Sequence, residues 1–462
     1  MKHNSEILFG VDDVPNPAQS TAAAFQHVLA CFVGIITPTL IVGAALGLGS
    51  EIPYLISMSL FVSGVATFVQ AKRIGPVGSG MISVQGTSFA FIGALLVAGV
   101  TIKERGGSNE EILSTMLGIS FFGAFIEIIL SQFVEKLKRF ITPLTTGIVI
   151  MTIGISLIKV GMTDIAGGFG NANFGSTTNL GLGAIVLLII LLFNLSKNPW
   201  LRLSSILIAM AIGSIIAAVL GWIDLSHLNT LPIFAVPEPF KYGLTFDIEL
   251  FLPIAIVYLL TAIETSGDLT ANCLFCKLPI KGAEYYKRIK GGILADGCNS
   301  LLAAIMNTFP NSTFSQNNAV VQLTGVASRH VGFYVAGILV ILGLFPIIGG
   351  VFQAIPKPVL GGATLVMFGT IAVGGLRIIT AEKIDRRASL IIATSMGTGL
   401  GVMMVPNAIE HLPIWLKNIF SSPVSTAGLC AIIMALLIPE SKTQEEPVLN
   451  EETSTDNLVK ES

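Results

Sequence analysis

Fourteen mostly apolar stretches recur along this chain, separated by short polar links. A helix needs about 20 apolar residues to cross the hydrocarbon core of a bilayer, and most of the stretches approach that length. Only 12% of the residues are charged, against about 25% in soluble domains, so the chain cannot cover a water-exposed surface. The pattern predicts an all-α polytopic membrane protein. The predicted segments span residues 22–46, 52–71, 77–98, 112–134, 141–161, 180–195, 203–222, 248–270, 291–309, 314–326, 329–347, 357–377, 388–405 and 423–438.

The positions of the lysines and arginines support this count of segments. If the N-terminus lies inside, the links after even-numbered segments are cytoplasmic and should hold most of the basic residues, as they do. The sequence therefore predicts a multi-pass protein of the cell inner membrane with both termini cytoplasmic. Residues 1–21 and 439–462 are predicted cytoplasmic tails, the second of them disordered. The basic residues of the predicted cytoplasmic links are Lys72, Arg73, Lys136, Lys138, Arg139, Lys197, Arg202, Lys277, Lys281, Lys287, Arg288, Lys290, Arg329, Arg377, Lys383, Arg386 and Arg387.

Two of the apolar segments carry a polar interruption, and these two lie seven segments apart. The third segment is interrupted at Gln85–Ser88, and the tenth carries Ser315–Asn318. Because seven is odd, two such repeats would face opposite ways across the membrane. Paired interruptions in inverted halves indicate a transporter site near the middle of the bilayer.

A few ionisable side chains fall inside the apolar segments, where they are costly and usually functional. They are His27 in the first segment, Glu264 and Asp268 in the eighth, and Asp296 in the ninth. Glu264 and Asp268 are one helical turn apart on one face. Two acids so close in a low dielectric are not expected to ionise together, which suits a proton carrier. The alternatives are a structural hydrogen-bonding role for His27 and Asp296, and solvation at the cytoplasmic end for Asp268.

Other polar residues in or near the segments have simpler interpretations. We expect Glu127 in the fourth segment, and Asp247 and Glu249 before the eighth, to lie at solvated helix ends. Cys273 and Cys276 form a CxxC without nearby partners, so small residues at a segment end are expected there and not a metal site. The sequence contains neither HExxH nor GxSxG, which argues against a membrane-embedded enzyme.

The densest polar cluster is Asn311–Asn318, directly before a short apolar run. Adjacent carboxamides cannot face lipid without hydrogen-bond partners, so they are expected to line a cavity. Carboxamides and carboxylates together offer the donors and acceptors that suit a neutral, planar ligand. An inorganic anion would call for Lys or Arg within the segments, and a metal ion for more acids or thiolates.

Several of these motifs together resemble the nucleobase–ascorbate transporter family, a family of nucleobase:cation symporters, and within it the bacterial xanthine permeases. The family signature of the tenth segment reads here from Gln316 to Gly325, with Ala319 in place of the usual glycine. The Gln26-His27 pair and the run from Gln85 to Phe89 match as well. So do Glu264 with Asp268, and Ala295-Asp296-Gly297.

This resemblance implies a fold of two inverted seven-segment repeats, with a short strand and a half-helix in segments 3 and 10. A core domain would comprise residues 22–134 and 248–347, and a gate domain residues 135–222 and 357–438. The base would bind between the half-helices and the eighth segment. Family members commonly act as homodimers.

The resemblance also implies the roles of single residues. Glu264 and Gln316 would hydrogen-bond the edge of a purine, with backbone amides near Phe89 and Gln316 completing the contacts. Asn317 and Ser88 would complete the substrate site. Proton coupling would involve Glu264, Asp268, Asp296 and His27.

The expected function is proton-coupled uptake of a purine base, xanthine first, by alternating access. No cofactor beyond the proton gradient and no nucleic acid is expected. Ser88 stands where some strictly xanthine-selective relatives carry asparagine, so uric acid or a broad range of purines is the alternative. Gln316 disfavours uracil, for which relatives carry glutamate. A sulfate-type anion carrier of the same fold is a further alternative.

Overall fold

The structure, a computed structural model, describes residues 7–137, 142–168, 170–381 and 383–438. The predicted tail at 439–462, the first six residues of the predicted tail at 1–21, and the predicted cytoplasmic residues Lys138 and Arg139 lie outside the described residues. The described chain is mostly helical, as the apolar segments predicted.

Every predicted segment coincides with at least one helix. Helix α1 begins at Pro17, inside the predicted tail at 1–21, because Asn16 and Gln19 form a capping box there. The helices of the first half are α1 Pro17–Leu46, α2 Ile52–Lys72, α3 Ile92–Glu104, α4 Asn109–Gln132, α5 Val134–Leu137, α6 Pro143–Ile165, α7 Thr177–Asn194, α8 Pro199–Leu203 and α9 Ser205–Val219. Those of the second half are α10 Ile248–Phe275, α11 Ala283–Ile305, α12 Ser315–Thr324, α13 Arg329–Gly343, α14 Pro346–Gln353, α15 Lys357–Ile379, α16 Arg386–Met404, α17 Ile414–Phe420 and α18 Pro423–Leu437.

Length and composition identify the helices that can cross a bilayer. Among the described residues, seven are long and apolar enough, and up to nine if each of two bent pairs counts as one span. The bends are 76° between α13 and α14 and 89° between α17 and α18. Neither α14 nor α17 was predicted. The chain is therefore a multi-pass membrane protein with several broken or short helices.

Two three-residue strands, β1 (Gln85–Thr87) and β2 (Asn311–Thr313), pair in antiparallel fashion in the interior. Gln85 lies opposite Thr313, and the pairing continues beyond the strands, since the amide of Phe314 donates to the carbonyl of Val84 at 3.0 Å. A 3₁₀ turn, Phe89–Phe91, leads from β1 into α3, and α12 follows β2 directly. The strands and half-helices that the resemblance implied are thus present.

The helices pack in two groups, and glycines decide how closely. In the first group α2 packs on α13, and α4 packs on α10 and α11; in the second α6 packs on α15, α7 on α9, and α16 on α18. A Cβ atom at Gly154 of α6 would lie 2.3 Å from the amide nitrogen of Ala372 of α15. One at Gly375 of α15 would lie 2.3 Å from that of Met151. Small residues thus bring these two backbones into direct contact, as in other membrane helix pairs.

The segment before α1 docks on the link between α12 and α13. The amide of Leu8 donates to the carbonyl of Gly325 at 2.8 Å, and the amide of Arg329 donates to that of Val11 at 2.9 Å. The side chain of Arg329 pairs with Asp12 at 2.9 Å. These contacts hold the C-terminal end of α12 against the first described residues of the chain.

Candidate functional site

A cavity lies where the strand pair meets α10 and the second helix group. Three of the predicted site residues, Phe89, Glu264 and Gln316, line it together. Its remaining lining consists of Ser312, Thr313, Phe314 and Ser315 on the side of the strands, and of Ile150, Ile153 and Ile371 on the opposite side. One wall is therefore polar and aromatic, and the other, from α6 and α15, is apolar.

Much of the polar wall comes from residues that directly follow strands β1 and β2. The 3₁₀ turn at Phe89 and helix α12 both begin at the strand pair. The first amides of a helix lack intrahelical partners and carry a partial positive charge. Ser315 and Gln316, the first residues of α12, therefore present backbone donors and side-chain polar groups at the same cavity.

Two phenylalanines give the cavity a flat apolar face. The ring centroids of Phe89 and Phe314 are 6.4 Å apart with an angle of 31° between the planes. The ring of Phe314 is wedged between two glycines, because Cβ atoms at Gly34 and Gly86 would lie 2.8 Å and 2.6 Å from it. Phe368 meets Phe89 edge-on at 5.8 Å. The arrangement suits stacking of a planar ring.

Asp268 connects α10 to the beginning of α12. Its carboxylate accepts hydrogen bonds from the hydroxyls of Ser315 at 2.8 Å and Thr313 at 3.2 Å. The side-chain amide of Asn318 donates to the backbone carbonyl of Asp268 at 3.0 Å. Asp268 is only 5% exposed, so the alternative of a solvated residue at the end of the segment is wrong.

Asp296 is fully buried and lies on the far side of the same hydroxyls. Its carboxylate accepts hydrogen bonds from the amide of Gln70 at 3.1 Å and from the hydroxyl of Thr265. The hydroxyls of Thr265 and Thr313 lie 3.4 Å apart. A continuous polar network therefore runs from Asp296 through two threonines to Asp268.

The other predicted site residues lie outside the cavity lining. Asn317 faces away from it and donates to the carbonyl of Ile82 at 2.8 Å. His27 is fully buried beside Asn317, and neither ring nitrogen has a hydrogen-bond partner of good geometry. Ser88 is buried next to Phe89, and its hydroxyl also lacks a partner. None of these three residues is among those that line the cavity.

Sequence reasoning missed several polar groups around the cavity. Thr265 and Gln70 were not singled out, although Thr265 is adjacent to Glu264. Gln85 and Asn311 belong to polar runs noted in the sequence, but nothing there indicated that their side-chain amides are fully buried on the paired strands without a hydrogen-bond partner. No periodic pattern could have revealed these contacts, because they join different segments: Gln70 and Asp296 are 226 residues apart, and Thr265 and Asp296 are 31 residues apart.

The expectation for Glu127 is wrong. It was assigned to a solvated helix end, but its side chain is fully buried and neither carboxyl oxygen has a hydrogen-bond partner. The reason is packing: at Gly123 and Gly297 there is no room for a Cβ atom between α4 and its neighbours α10 and α11. Because the helices approach so closely, the Glu127 side chain is enclosed between α4, α10 and α11.

The expectation for Asp247 and Glu249 is confirmed. Asp247 caps the N-terminus of α10, and Arg105 pairs with it at 2.6 Å and with Glu249 at 3.1 Å. Burial alone would raise the pKa of Asp247, but hydrogen bonds from Arg105 and from two backbone amides outweigh it, so the pKa lies below its usual value.

Cys273 and Cys276 are buried at the end of α10. Within the part of the chain that the structure describes, no group of three or more His, Cys, Asp or Glu residues is placed to hold a metal ion.

Ala319, the departure from the family signature, is exposed in the middle of α12. Its neighbours on the same helix face, Ser315 and Gln322, are exposed as well. No close approach of another backbone demands a glycine at this position.

Comparison with known proteins gives full-length relatives. The Permease family model, Xan_ur_permease, matches residues 18–408. The chain is 47% identical over 444 residues to the xanthine permease XanP of Escherichia coli (strain K12), covering 95% of this chain and 96% of that one. It is 43% identical over 445 residues to xanthine permease XanQ of the same strain, covering 96% of each. It is 34% identical over 425 residues to the nucleobase transporter PlUacP of Paenibacillus larvae, covering 91% and 95%.

Solved structures of low identity share the fold. The transmembrane domain of a cyanobacterial bicarbonate transporter, BicA, matches with a TM-score of 0.56 and 15% identity, covering 89% of this chain and 99% of that one. The murine anion transporter Slc26a9 in its inward-facing state matches with a TM-score of 0.59 and 12% identity, covering 92% and 69%. The family match and the full-length relatives confirm what the motifs predicted: the chain belongs to the nucleobase–ascorbate transporter family, a family of permeases and not of enzymes.

Proposed function

We propose that this protein takes up a purine base, xanthine in first place, across the cell inner membrane together with protons. One observation carries the proposal: Glu264 and Gln316, from two different helices, line one cavity together with Phe89. The full-length relatives XanP and XanQ are named as xanthine permeases, which favours xanthine over other purines.

The chemistry of the cavity suits a neutral heterocycle. Glu264 offers acceptors for ring N–H groups, and its Oε2 atom is buried without a partner. Gln316 can donate and accept at once, as adjacent N–H and C=O groups require. The related folds carry anions, but no Lys or Arg is among the residues that line this cavity. A carboxylate without a compensating cation disfavours a small inorganic anion as the substrate.

The proposed movement is alternating access between two domains. The core would comprise residues 22–134 and 248–347, and the gate residues 135–222 and 357–438. The packing favours inverted seven-segment repeats, because partners recur at equivalent positions. The second segment (α2) packs on the eleventh (α13), and their equivalents seven segments away, the ninth (α11) and the fourth (α4), pack on each other. In the same way, the sixth packs on the seventh (α7 on α9), and the thirteenth packs on the fourteenth (α16 on α18). The strand pair joins the two equivalent third and tenth segments.

Fourteen segments, both termini in the cytoplasm and a homodimer complete the proposal. Glu264, Asp268, Asp296 and His27 would couple the proton, and the proton gradient would be the only further requirement. One proton moving through about 100 mV gains roughly 2.3 kcal/mol. That energy supports an accumulation of a neutral base of about 50-fold.

Uric acid is the second candidate substrate. The observation that favours it is Ser88, a small hydroxyl buried beside Phe89 without a hydrogen-bond partner. A larger purine oxidised at C8 would bring an additional polar edge into this region. Competition of unlabelled uric acid, guanine and uracil with labelled xanthine decides between the substrates.

The decisive experiment measures uptake of radiolabelled xanthine in cells without their own xanthine permeases, with and without a protonophore. We expect accumulation that the protonophore abolishes. Glu264→Gln should abolish uptake while the protein still reaches the membrane. Glu249→Gln, the same substitution at the exposed start of the same helix, is the matched control and should transport normally. Normal uptake by Glu264→Gln would refute the assignment of the site.

A further inference from the structure

One of the buried polar groups without a hydrogen-bond partner in the described part of the molecule is the carboxyl group of Glu127. Its side chain is fully buried between α4, α10 and α11, and neither oxygen has a hydrogen-bond partner. The site described above does not contain it, because Glu127 does not line the cavity. A bare carboxylate in such a place is among the most costly arrangements in a protein interior.

The surroundings of Glu127 hold acids but no cation. Glu264 on α10 and Asp296 on α11 are the carboxyl groups that act on it electrostatically. The other ionisable groups facing it are Tyr258 on α10 and Cys298 on α11, both neutral in their ordinary state. No described Lys or Arg acts on Glu127, and α3, which also packs on α4, contributes no ionisable group to this set.

The hydroxyl beside Glu127 belongs to Thr261. Its single proton is directed to the backbone carbonyls of Val257 and Tyr258, each at 3.2 Å. The Thr261 hydroxyl thus has acceptors on its own helix and is not committed to donating to Glu127. A protonated Glu127, in contrast, can donate to the Thr261 oxygen.

Tight packing keeps water away from this group. A Cβ atom at Gly123, one turn before Glu127, would lie 2.4 Å from the ring of Tyr258. A Cβ atom at Gly297 on α11, next to Asp296, would lie 3.0 Å from the amide nitrogen of Ile128. At these two glycines α4 is in close contact with α10 and with α11, on either side of the Glu127 carboxyl group. The acids nearest in electrostatic effect, with which Glu127 could exchange a proton, are Glu264 and Asp296.

We propose that Glu127 is a further proton-coupling residue of this transporter, which holds a proton in the conformation seen here and exchanges it with the acids of the substrate site during the transport cycle. The step forms and breaks only O–H bonds: a proton leaves the Glu127 carboxyl group and is taken up by Glu264 or Asp296. This inference rests on the proposed proton-coupled uptake and extends it to a helix outside the substrate site.

The test separates exchange of substrate from accumulation of substrate. Wild type, Glu127→Gln and Glu127→Asp are compared in two assays: accumulation of labelled xanthine with a proton gradient, and exchange of labelled for unlabelled xanthine in proteoliposomes without one. Glutamine has the shape of the neutral acid but cannot release a proton. We expect Glu127→Gln to keep exchange while its accumulation ratio falls from about 50 to about 1, with no dependence on external pH. Glu127→Asp should restore part of the accumulation.

Each result decides the matter. Accumulation by Glu127→Gln with the pH profile and protonophore sensitivity of wild type would overturn the inference while leaving the proposed function intact. If Glu127→Gln loses both accumulation and exchange, the behaviour of Glu127→Asp decides between a titrating and a structural role. Recovery of both activities by the aspartate variant supports a titrating group, and failure together with lowered thermal stability shows a structural role and overturns the inference. If wild type itself accumulates xanthine equally with a protonophore present, proton coupling fails and the inference fails with it.

Discussion

Substitution of Gly86 by alanine tests how the strand pair sets the geometry of the substrate site. A Cβ atom at Gly86 would lie 2.6 Å from the ring of Phe314 and 2.8 Å from Ile35, well inside the 3.4 Å at which ordinary contact begins. The ring cannot simply swing aside, because on its other side a Cβ atom at Gly34 would lie 2.8 Å from it. Phe314 must therefore shift, and with it the first turn of α12.

The expected size of the effect follows from overpacking. Forcing an additional methyl group into a close-packed interior costs about 1–3 kcal/mol, which corresponds to roughly 5- to 150-fold in an equilibrium constant. Because Phe314 directly precedes Ser315 and Gln316 at the cavity, this cost should appear in xanthine affinity as well as in thermal stability. Binding to purified protein and unfolding in detergent measure the two.

Two further variants make the result interpretable. Gly337→Ala on α13 is the matched control, since a Cβ atom there meets nothing within 4 Å, and it should leave binding unchanged. Adding Phe314→Leu to Gly86→Ala provides the missing space and should recover stability. If Gly86→Ala binds xanthine and unfolds like wild type, the ring is not wedged as described and the reasoning is refuted.

Three other predictions concern single contacts. Asp268→Asn leaves the hydroxyls of Ser315 and Thr313 with a weaker acceptor and should lower xanthine affinity about 10-fold; equal affinity in equilibrium binding would contradict the role of Asp268 in holding α12. Ala319→Gly should lower stability by about 1 kcal/mol through helix propensity and change substrate preference by less than about threefold, since the Ala319 side chain is exposed; a changed substrate in competition assays would contradict this. Arg105→Gln should lower thermal stability by about 0.2–1 kcal/mol at pH 7. Because the pKa of Asp247 is depressed in the folded state, its contribution is present above about pH 4 and is lost as the pH falls through the folded value. The variant and wild type should therefore converge in acid, and an equal difference at both pH values would contradict the ion-pair explanation.

The substrate site could be predicted from sequence to the extent that its residues belong to recognisable motifs. Glu264, Phe89 and Gln316 were named from motifs, and the structure gathers all three at one cavity. The strands were expected only through the family resemblance, because three residues are too few for an alternating pattern to be read. Asn317 and Ser88 share motifs with Gln316 and Phe89, and His27 belongs to a motif of its own, but motifs do not show which way a side chain points.

What the sequence could not predict depends on contacts between distant segments. Glu127 looks like a residue near a helix end, and only the glycines at 123 and 297 bury it. Likewise, the polar stretch before the first helix was predicted to be a cytoplasmic tail, and its composition does not show that residues 8–12 contact the link after α12. In both cases the deciding contacts join separate segments of the chain, beyond the reach of composition or periodicity.

The apolar wall opposite the substrate residues has a mechanical consequence. Ile150, Ile153 and Ile371 offer no hydrogen-bonding groups in their side chains. A displacement of the strand-bearing unit along this wall therefore breaks no polar contact across the cavity. It exchanges one set of dispersion contacts for another of similar strength. In the proposed alternating access, this surface would let the substrate site shift against α6 and α15 without first releasing the bound base.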